Sequence, residues 1–539
     1  MKSIYKSLLA VLAVAPLATG CIEEVYPTGA TTSQEQLVSN TAAAEALSSG
    51  MPAYMNKYNA LGLSTDDVRH YDWGHASVMH VLDVMTADMA IAESGYDHYQ
   101  SWETCTYQGD GYIYGQFLWN YMNGQVKSTN DAVGGMDPEP EAALNRFYLA
   151  SALVFRASTY LDFARMYEFV PNKYTQMANP ANNHLTVPIT TQETSEAQAR
   201  ENPRVQKVDM IKFIKGDLDR AIELYDGAAE RASKTLPDLS VCYGVYARLC
   251  MWSGEYEDAA KYARLAITSS GATPLTKDQW LSTTNGFNNI NTPSWMWGIA
   301  LTQEDRLVTS ALLNWTSWMA PETTFGYASA GPMAMISKSL YDRMDNRDFR
   351  KLSYLAPEGS SLYGATPLID ADFMTEIEAP TYTAVKFRPG AGNMEDNKIA
   401  CAVGVPLMRV EEMYLIEAEA LAHNNAAAGR QALIDFVRTF RYPEYTCMEG
   451  DAESIVNAVF EQKRIELWGE GLIFFDYKRL DKGVTRYYEG TNFYEDAQFN
   501  TDGMAPWMNI VAVKTEQNNN SAFINNPDPE VIKPVPSQK

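Results

Sequence analysis

The feature that most constrains this chain is a pair of segments, residues 409–421, RVEEMYLIEAEAL, and residues 462–480, QKRIELWGEGLIFFDYKRL. Val410, Tyr414, Ala418 and Leu421 recur at helical spacing with Met413 beside them, so they predict one apolar stripe on a helix. A stripe of that kind has to be covered by a partner helix. Glu411, Glu412 and Glu419 fall off the stripe, whereas Glu417 falls within it. An unpaired buried carboxylate is costly, so Glu417 is expected to be hydrogen-bonded or to sit at the edge of the packed face.

The same helical register recurs along the chain. A helix over 409–423 turns at Asn424 and Asn425 into a second over 426–439, which Pro443 stops. A further helix opens near Asp451, with Asp451 or Ser454 as its cap, and runs to Gly469 and Gly471, a pair suited to a left-handed terminus. Upstream, an Ala-rich helix is expected over 31–58, with Ser33 and Gln36 placed for a capping box. Others follow over 78–92, 141–169 and 208–225, the second ended by Pro171. In SVCYGVYARLCMWSGEYEDAAKYARLAI, Ala247, Gly254, Tyr256, Ala259 and Ala266 stand in the order of a tetratricopeptide hairpin, where small residues let two helices approach. Pro274 comes a few residues later than that repeat's usual closing proline. The fold class expected is mainly α, a tetratricopeptide-like scaffold of helical hairpins carrying long loop-rich insertions.

Two stretches lose helical periodicity. Residues 71–115, apart from the helix over 78–92, are dense in Tyr, Trp and Gly, and residues 280–382 mix Trp and Phe with Asn, Thr, Gly and Pro; both read as structured loop. Trp295 and Trp297, alternating around Met296 ahead of Ile299, read as a buried strand. The glycines at 109, 111 and 115 make no phosphate loop, because neither a preceding buried strand nor a suitably spaced helix accompanies them. The tail after Trp507 is rich in Asn and Pro and is expected to wrap the surface or fray.

The first residues bear on where the protein works. Lys2 and Lys6 precede an apolar run over 8–17 that is too short to span a bilayer, and LATGC follows. That order predicts a cleaved secretion segment over 1–20; the remainder is read as a region over 21–270 with the tetratricopeptide-like helices and first aromatic insertion, and a second over 271–539 with the loop-rich block and final helices. The formal net charge is −24, and loss of Lys2 and Lys6 leaves the remainder more acidic still. Such a balance argues against nucleic acid, whose binding needs clustered Lys and Arg to neutralise phosphates. Besides Cys21, the cysteines at 105, 242, 250, 401 and 447 show no CxxC spacing and are expected to be mostly buried thiols.

Several of these motifs together resemble those of a known family. LATGC resembles the bacterial lipobox, with Ala18 where Leu is commonest, and implies that Cys21 receives a lipid anchor. Glu23 and Glu24 resemble the signal that exports Bacteroidetes lipoproteins to the outer face of the outer membrane. The order R-x-x-E-x-Y-L-x-x-A-E-A-L from Arg409, then R-I-E-L-W-G-E-G-x-x-x-F-D-x-K-R from Arg464, resembles the SusD/RagB family of nutrient-binding lipoproteins, with Ile473 where the family often has Arg. The resemblance covers nearly the whole chain. It implies a cell-surface lipoprotein that sits as a lid over a SusC-like TonB-dependent outer-membrane transporter.

The charged motif residues read as structural. Arg464, Glu466, Glu470, Asp476 and Arg479 mix signs at spacings that allow pairing along a helix or across to Arg409 and Glu412. Neither HExxH nor GxSxG is present, so no catalytic residue is assigned. His70, His75 and His80 are five apart, which turns each away from the last on a helix; they are expected to be structural or surface residues, and no metal or cofactor is assigned. Ligand capture then falls to aromatic loops, since Trp and Tyr rings beside amides stack on the C–H faces of sugars. The candidates are Trp73, Trp102 and Tyr107 in the first insertion, and Trp315, Trp318, Phe325 and Tyr327 in the second. Trp315 and Trp318 lead, because Asn314, Thr316 and Ser317 accompany them in an apparent loop. Three readings follow: a binder of oligosaccharide, the same architecture binding oligopeptide, and, with no positive feature, a surface hydrolase or adhesin.

Overall fold

The computed structural model describes residues 40–176, 178–370, 373, 375 and 377–534. The secretion segment, Cys21, Glu23, Glu24 and the capping box at Ser33 lie outside the described residues.

Most of the long helices form a row in which neighbours pack on one another. Helix α1 (Thr41–Met55) opens on Asn40, whose side chain accepts from the Ala42 amide. Helix α2 (His75–Val84) is followed by strand β1 (Met89–Ile91), so the helix expected over 78–92 ends early and its last residues are extended. Helix α3 (Ile113–Gly134) starts inside the stretch read as loop. Its Trp119, Tyr121 and Met122 are buried. Helix α4 (Ala143–Tyr167) is buried almost all round and ends before Pro171. It packs on α1, on α3 and on α5 (Lys207–Tyr225).

Helices α6 (Leu239–Ser253) and α7 (Tyr256–Ser270) make the tetratricopeptide-like hairpin. Gly254 caps α6 at φ 81°, a left-handed turn that glycine adopts without a Cβ penalty. Ala247, Ala259 and Ala266 have no exposed surface there, the close approach their size predicts. The chain then leaves the row for more than a hundred residues. Strand β2 (Trp295–Ala300), short helix α8 (Trp315–Met319) and strand β3 (Ala334–Ile336) lie in this excursion. Strand β4 (Gly404–Arg409) returns, pairs antiparallel with β2 and runs straight into α9 (Val410–Asn424), which packs on α7 and resumes the row. Helices α10 (Ala426–Phe440), α11 (Ala452–Glu466) and α12 (Ile473–Arg479) complete it. Asp451 caps α11 by accepting from the Ser454 amide, and Gly469 and Gly471 follow at φ 77° and 71°.

The tail wraps. Trp507 through Val513 are buried, and the Asn526 side chain donates to the Ile510 carbonyl at 2.8 Å. Cys105, Cys242, Cys250, Cys401 and Cys447 are buried free thiols. No helix of the described residues is long and apolar enough to cross a membrane.

One expectation about α9 needs correcting. Glu411, Glu412 and Glu419, read as falling off its packed face, are as buried as the stripe. Helix α9 is covered all round, and each carboxylate is matched by a cation. Glu412 takes two bonds from Arg248, at 2.7 and 2.6 Å. Glu419 meets Lys463 at 2.7 Å and Arg479 at 2.6 Å, and Glu417 is paired with Arg264.

At the join of β4 and α9, Arg409 is fully buried. Its Nε donates to Glu470 at 2.9 Å, its Nη2 to the Glu466 carbonyl at 2.8 Å, and its Nη1 lies 3.1 Å from both Glu466 and Glu411. Arg441 and Arg350 hold Glu466 from the other side, at 2.6 and 2.8 Å. Lys386 holds Glu470 at 2.7 Å and Asp348 neutralises Arg350 at 2.6 Å. Four cations thus meet four carboxylates in a dry core. The Trp280 ring lies 5.2 to 5.6 Å from Arg441, Lys386 and Arg409, so their positive faces also meet π density. Burial opposes its charge, but Arg441, Arg409 and Arg350 together hold the Glu466 carboxyl well below the usual range.

Removing one partner from such a cluster strands a buried charge. Arg409→Met is expected to lower unfolding free energy by about 3–5 kcal/mol, read by urea unfolding at pH 7. Because Glu466 is depressed, its contribution is complete above the ordinary carboxylate range and is lost as pH falls through its lower folded value. The difference between wild type and Glu466→Gln should therefore shrink in acid.

Candidate functional site

The two aromatic insertions meet at one end of a two-stranded ladder. Strands β1 and β3 pair antiparallel, Met89 with Ile336 and Ile91 with Ala334, and the Ala92 amide extends the ladder to the Met333 carbonyl at 3.0 Å. The loop after β1 and the loop before β3 therefore leave from the same end. Gly331, at φ 139°, lets them touch: a Cβ there would stand 2.8 Å from that of Ser94. In the first loop, Ser94 donates to Asp97 through its amide at 3.0 Å, and the Tyr96 amide donates to Ser94 Oγ at 3.0 Å. This closed turn leaves Tyr96 49% exposed.

The other end of the ladder is anchored by the second sequence motif. Arg464 Nε donates to Asp88 at 2.9 Å, Tyr477 Oη donates to the same carboxylate at 3.0 Å, and Trp468 Nε1 donates to the Asp88 carbonyl at 2.9 Å. That carbonyl also accepts from the Ser337 amide at 2.9 Å. One residue thus ties β1, β3 and α11 together.

At the free end the rings are layered. Tyr99 sits edge-on to Trp318, with centroids 4.9 Å apart, and His80 packs edge-on to Tyr99 at 4.5 Å. Tyr327 stacks on Trp318 at 4.4 Å and 23°. His98 lies against Tyr327 at 5.2 Å, His70 stacks on His98 at 4.3 Å and 18°, and Tyr96 reaches Tyr327 at 5.8 Å. His70 Nδ1 and Tyr327 Oη are hydrogen-bonded. The half-buried Phe325 lies two residues from Tyr327, and partly exposed Met394 accepts from the Thr324 amide through its carbonyl at 2.9 Å. Burial, reinforced by His70, pulls the His98 imidazole down to about 4. His70 is lowered too, by burial and by Arg69. At neutral pH the surface therefore presents uncharged rings, with Ser94, Asp97 and Arg69 close by.

Residues 318–539 match the SusD family model. The fold matches a SusD-like carbohydrate binding protein from Bacteroides vulgatus at TM-score 0.70 and 21% identity, over 90% of this chain and 97% of that one. It matches a SusD superfamily protein from Bacteroides thetaiotaomicron at 0.65 and 16%, over 90% and 100%. A laminarin binding SusD-like protein matches at 0.61 and 17%, over 90% and 99%. Residues 318–539 thus carry the SusD family's sequence pattern, and the fold is that of SusD-like proteins. No curated protein matches it.

On this SusD-like fold the predicted site residues part company. Trp73, Trp102 and Trp315 are interior rings: Trp102 lies edge-on to Tyr71 at 4.9 Å, and Trp315 to Phe387 at 4.9 Å and to Trp73 at 6.5 Å. Trp315 and Trp318 do not stand in an open loop. They lie on α8, capped by Asn314, whose side chain accepts from the Ser317 amide at 3.0 Å, and Ser317 Oγ in turn accepts from the Tyr327 amide at 2.9 Å. Two of the polar residues that accompany these rings, Asn314 and Ser317, thus turn the helix and aim Tyr327. Tyr107 is 57% exposed and packs on Tyr112 at 5.2 Å, away from the layered rings. Tyr96, His98 and His70, which stand at the free end of the ladder, are not among the sequence-predicted candidates, although Tyr96 and His98 flank Asp97 after a glycine in a polar loop.

Because α8 is interior, Trp315→Ala and Trp318→Ala are each expected to lower unfolding free energy by about 3–5 kcal/mol. Denaturant unfolding of the single variants reads this directly, and an unchanged transition would return both rings to the surface.

Proposed function

We propose that this protein is a non-catalytic receptor for an oligosaccharide, which it takes up on the rings of Tyr96, His98 and His70 above Tyr327, with Phe325 at the margin. The observation that carries the reading is the half-exposed Tyr96 standing on uncharged, layered rings. Such a surface is matched to the apolar C–H faces of sugars, while Ser94 and Asp97 are placed for hydroxyls. The carbohydrate-binding and laminarin-binding relatives support a glycan as the ligand class. Trp318, Trp315, Trp73 and Trp102 serve it from below, by holding the platform in place. In the same reading Cys21 is lipidated, the protein is held on the outer face of the outer membrane, and the captured glycan passes to a SusC-like TonB-dependent transporter.

Laminarin and a panel of other neutral polysaccharides in affinity gels are expected to include one that retards the protein. Tyr96→Ala should weaken that retardation about tenfold, or about 1.4 kcal/mol, with an unchanged thermal transition, and the recovered glycan should be intact. Retention by an oligopeptide panel and by no glycan would replace the ligand class, and a shortened glycan would end the non-catalytic reading. Since His98 stays neutral down to about 4, binding should be level between pH 8 and 6 and weaken only as pH approaches that value.

A further inference from the structure

Well inside the helical row, a cavity of about 220 Å³ lies among the C-terminal end of α4 and helices α6, α9, α11 and α12. Its wall is unusually basic for an acidic chain. Three carboxylates, Glu168, Glu412 and Asp476, line it together with twice as many Lys and Arg side chains. Most of those cations are matched. Arg248 is taken by Glu412, Lys463 and Arg479 by Glu419 and Asp476, and Lys207 stands 3.4 Å from Glu168.

Lys478 has no such counter-ion among the described residues. Its ammonium donates to the carbonyls of Met166 and Glu168, at 3.1 and 2.6 Å, at the end of α4. The helix dipole explains why a cation sits there. It does not neutralise it: burial, against the opposing pull of Glu168, brings the Lys478 ammonium down to about 7. Two guanidinium groups in the wall are also incomplete. Arg479 Nη1 and Arg165 Nε are buried and have no hydrogen-bond partner among the described residues. A buried cationic N–H without an acceptor costs more than a neutral one, and guanidinium geometry is matched to oxyanions. Access is present as well, because His184 and Lys207 line the cavity with side chains 52% and 26% exposed.

We propose that this cavity is a binding site for one small oxyanion, entering past His184 and Lys207 and taken by Lys478 with the guanidinium groups of Arg479 and Arg165. The chemistry is shared by a free sulfate or phosphate and by the carboxylate of a small organic acid. Because Arg479 and Lys463 also hold Glu419 on α9, an occupant would join α4 and α12 to the family motif. The site is independent of the aromatic platform.

Equilibrium dialysis of the full chain with radiolabelled sulfate, and separately with radiolabelled succinate, at constant ionic strength tests this. The expected result is saturable binding of one label per chain, displaced by phosphate if the site prefers an inorganic ion and by acetate if it prefers a carboxylate. Lys478→Met, which keeps the stem and deletes the charge, should weaken binding at least tenfold. Lys207→Gln at the entrance should weaken it in the same direction and serves as the second variant if the first fails to fold. Saturable binding of neither label overturns the proposal, as does binding that both variants leave unchanged.

Discussion

The interaction on which the rest of the structure depends is the buried contact of Arg409 with Glu466 and Glu470. Placing an arginine and two glutamates in a dry core is unfavourable unless every charge is matched and every polar hydrogen finds an acceptor. Here Arg441, Arg350 and Lys386 complete the match, and Trp280 covers the cluster with an aromatic face. The reward is placement. Arg409 ends β4 and begins α9, so the cluster fixes the point where the long excursion rejoins the helical row. A purely apolar contact could bury as much surface there, but it would not specify the register of β4 against α11.

From that cluster a line of rigid contacts leads to the platform. Helix α11, which carries Glu466, also carries Arg464, and two residues beyond its end stands Trp468. Both reach Asp88 at the foot of β1. Strand β1 with β3 is short, but its foot is tied by Asp88 and Ser337 and its free end by the closeness of Gly331 to Ser94. The aromatic loops are therefore carried on a braced ladder. The charged motif thus bears on the aromatic platform at a distance, by holding the strand whose next turn presents Tyr96.

The division between what could be read in the sequence and what could not follows the physics of each part. The hairpins of α6 with α7 and of α9 with α10 were legible, because small residues, a turn glycine and a helical repeat lie close together in the chain. So were the caps at Asp451 and the terminus before Pro171, which rest on local hydrogen bonding. The burial of Glu411, Glu412 and Glu419 was not legible: whether a glutamate faces water depends on arginines up to 164 residues away, as Arg248 is from Glu412. Helix α3 was hidden because tyrosines and glycines at its start blend into the loop before it.

The platform was half legible for a related reason. The aromatic character of the two insertions is visible in composition, yet composition ranks Trp above Tyr and His as a ligand contact, while a large ring is the one most valuable to a core. Trp315 and Trp318 went inward with the polar residues around them, and the smaller rings of Tyr96 and His98 came to the surface above them. Only the pairing of β1 with β3 brings residues 96 and 327 together. The most direct test of the account is a crystal structure of the protein soaked with a glycan that retards it in a gel. The account predicts a sugar ring in van der Waals contact with Tyr96 or His98. A sugar seated instead on Tyr107 and Tyr112, or anywhere away from the end of the β1–β3 ladder, would contradict it.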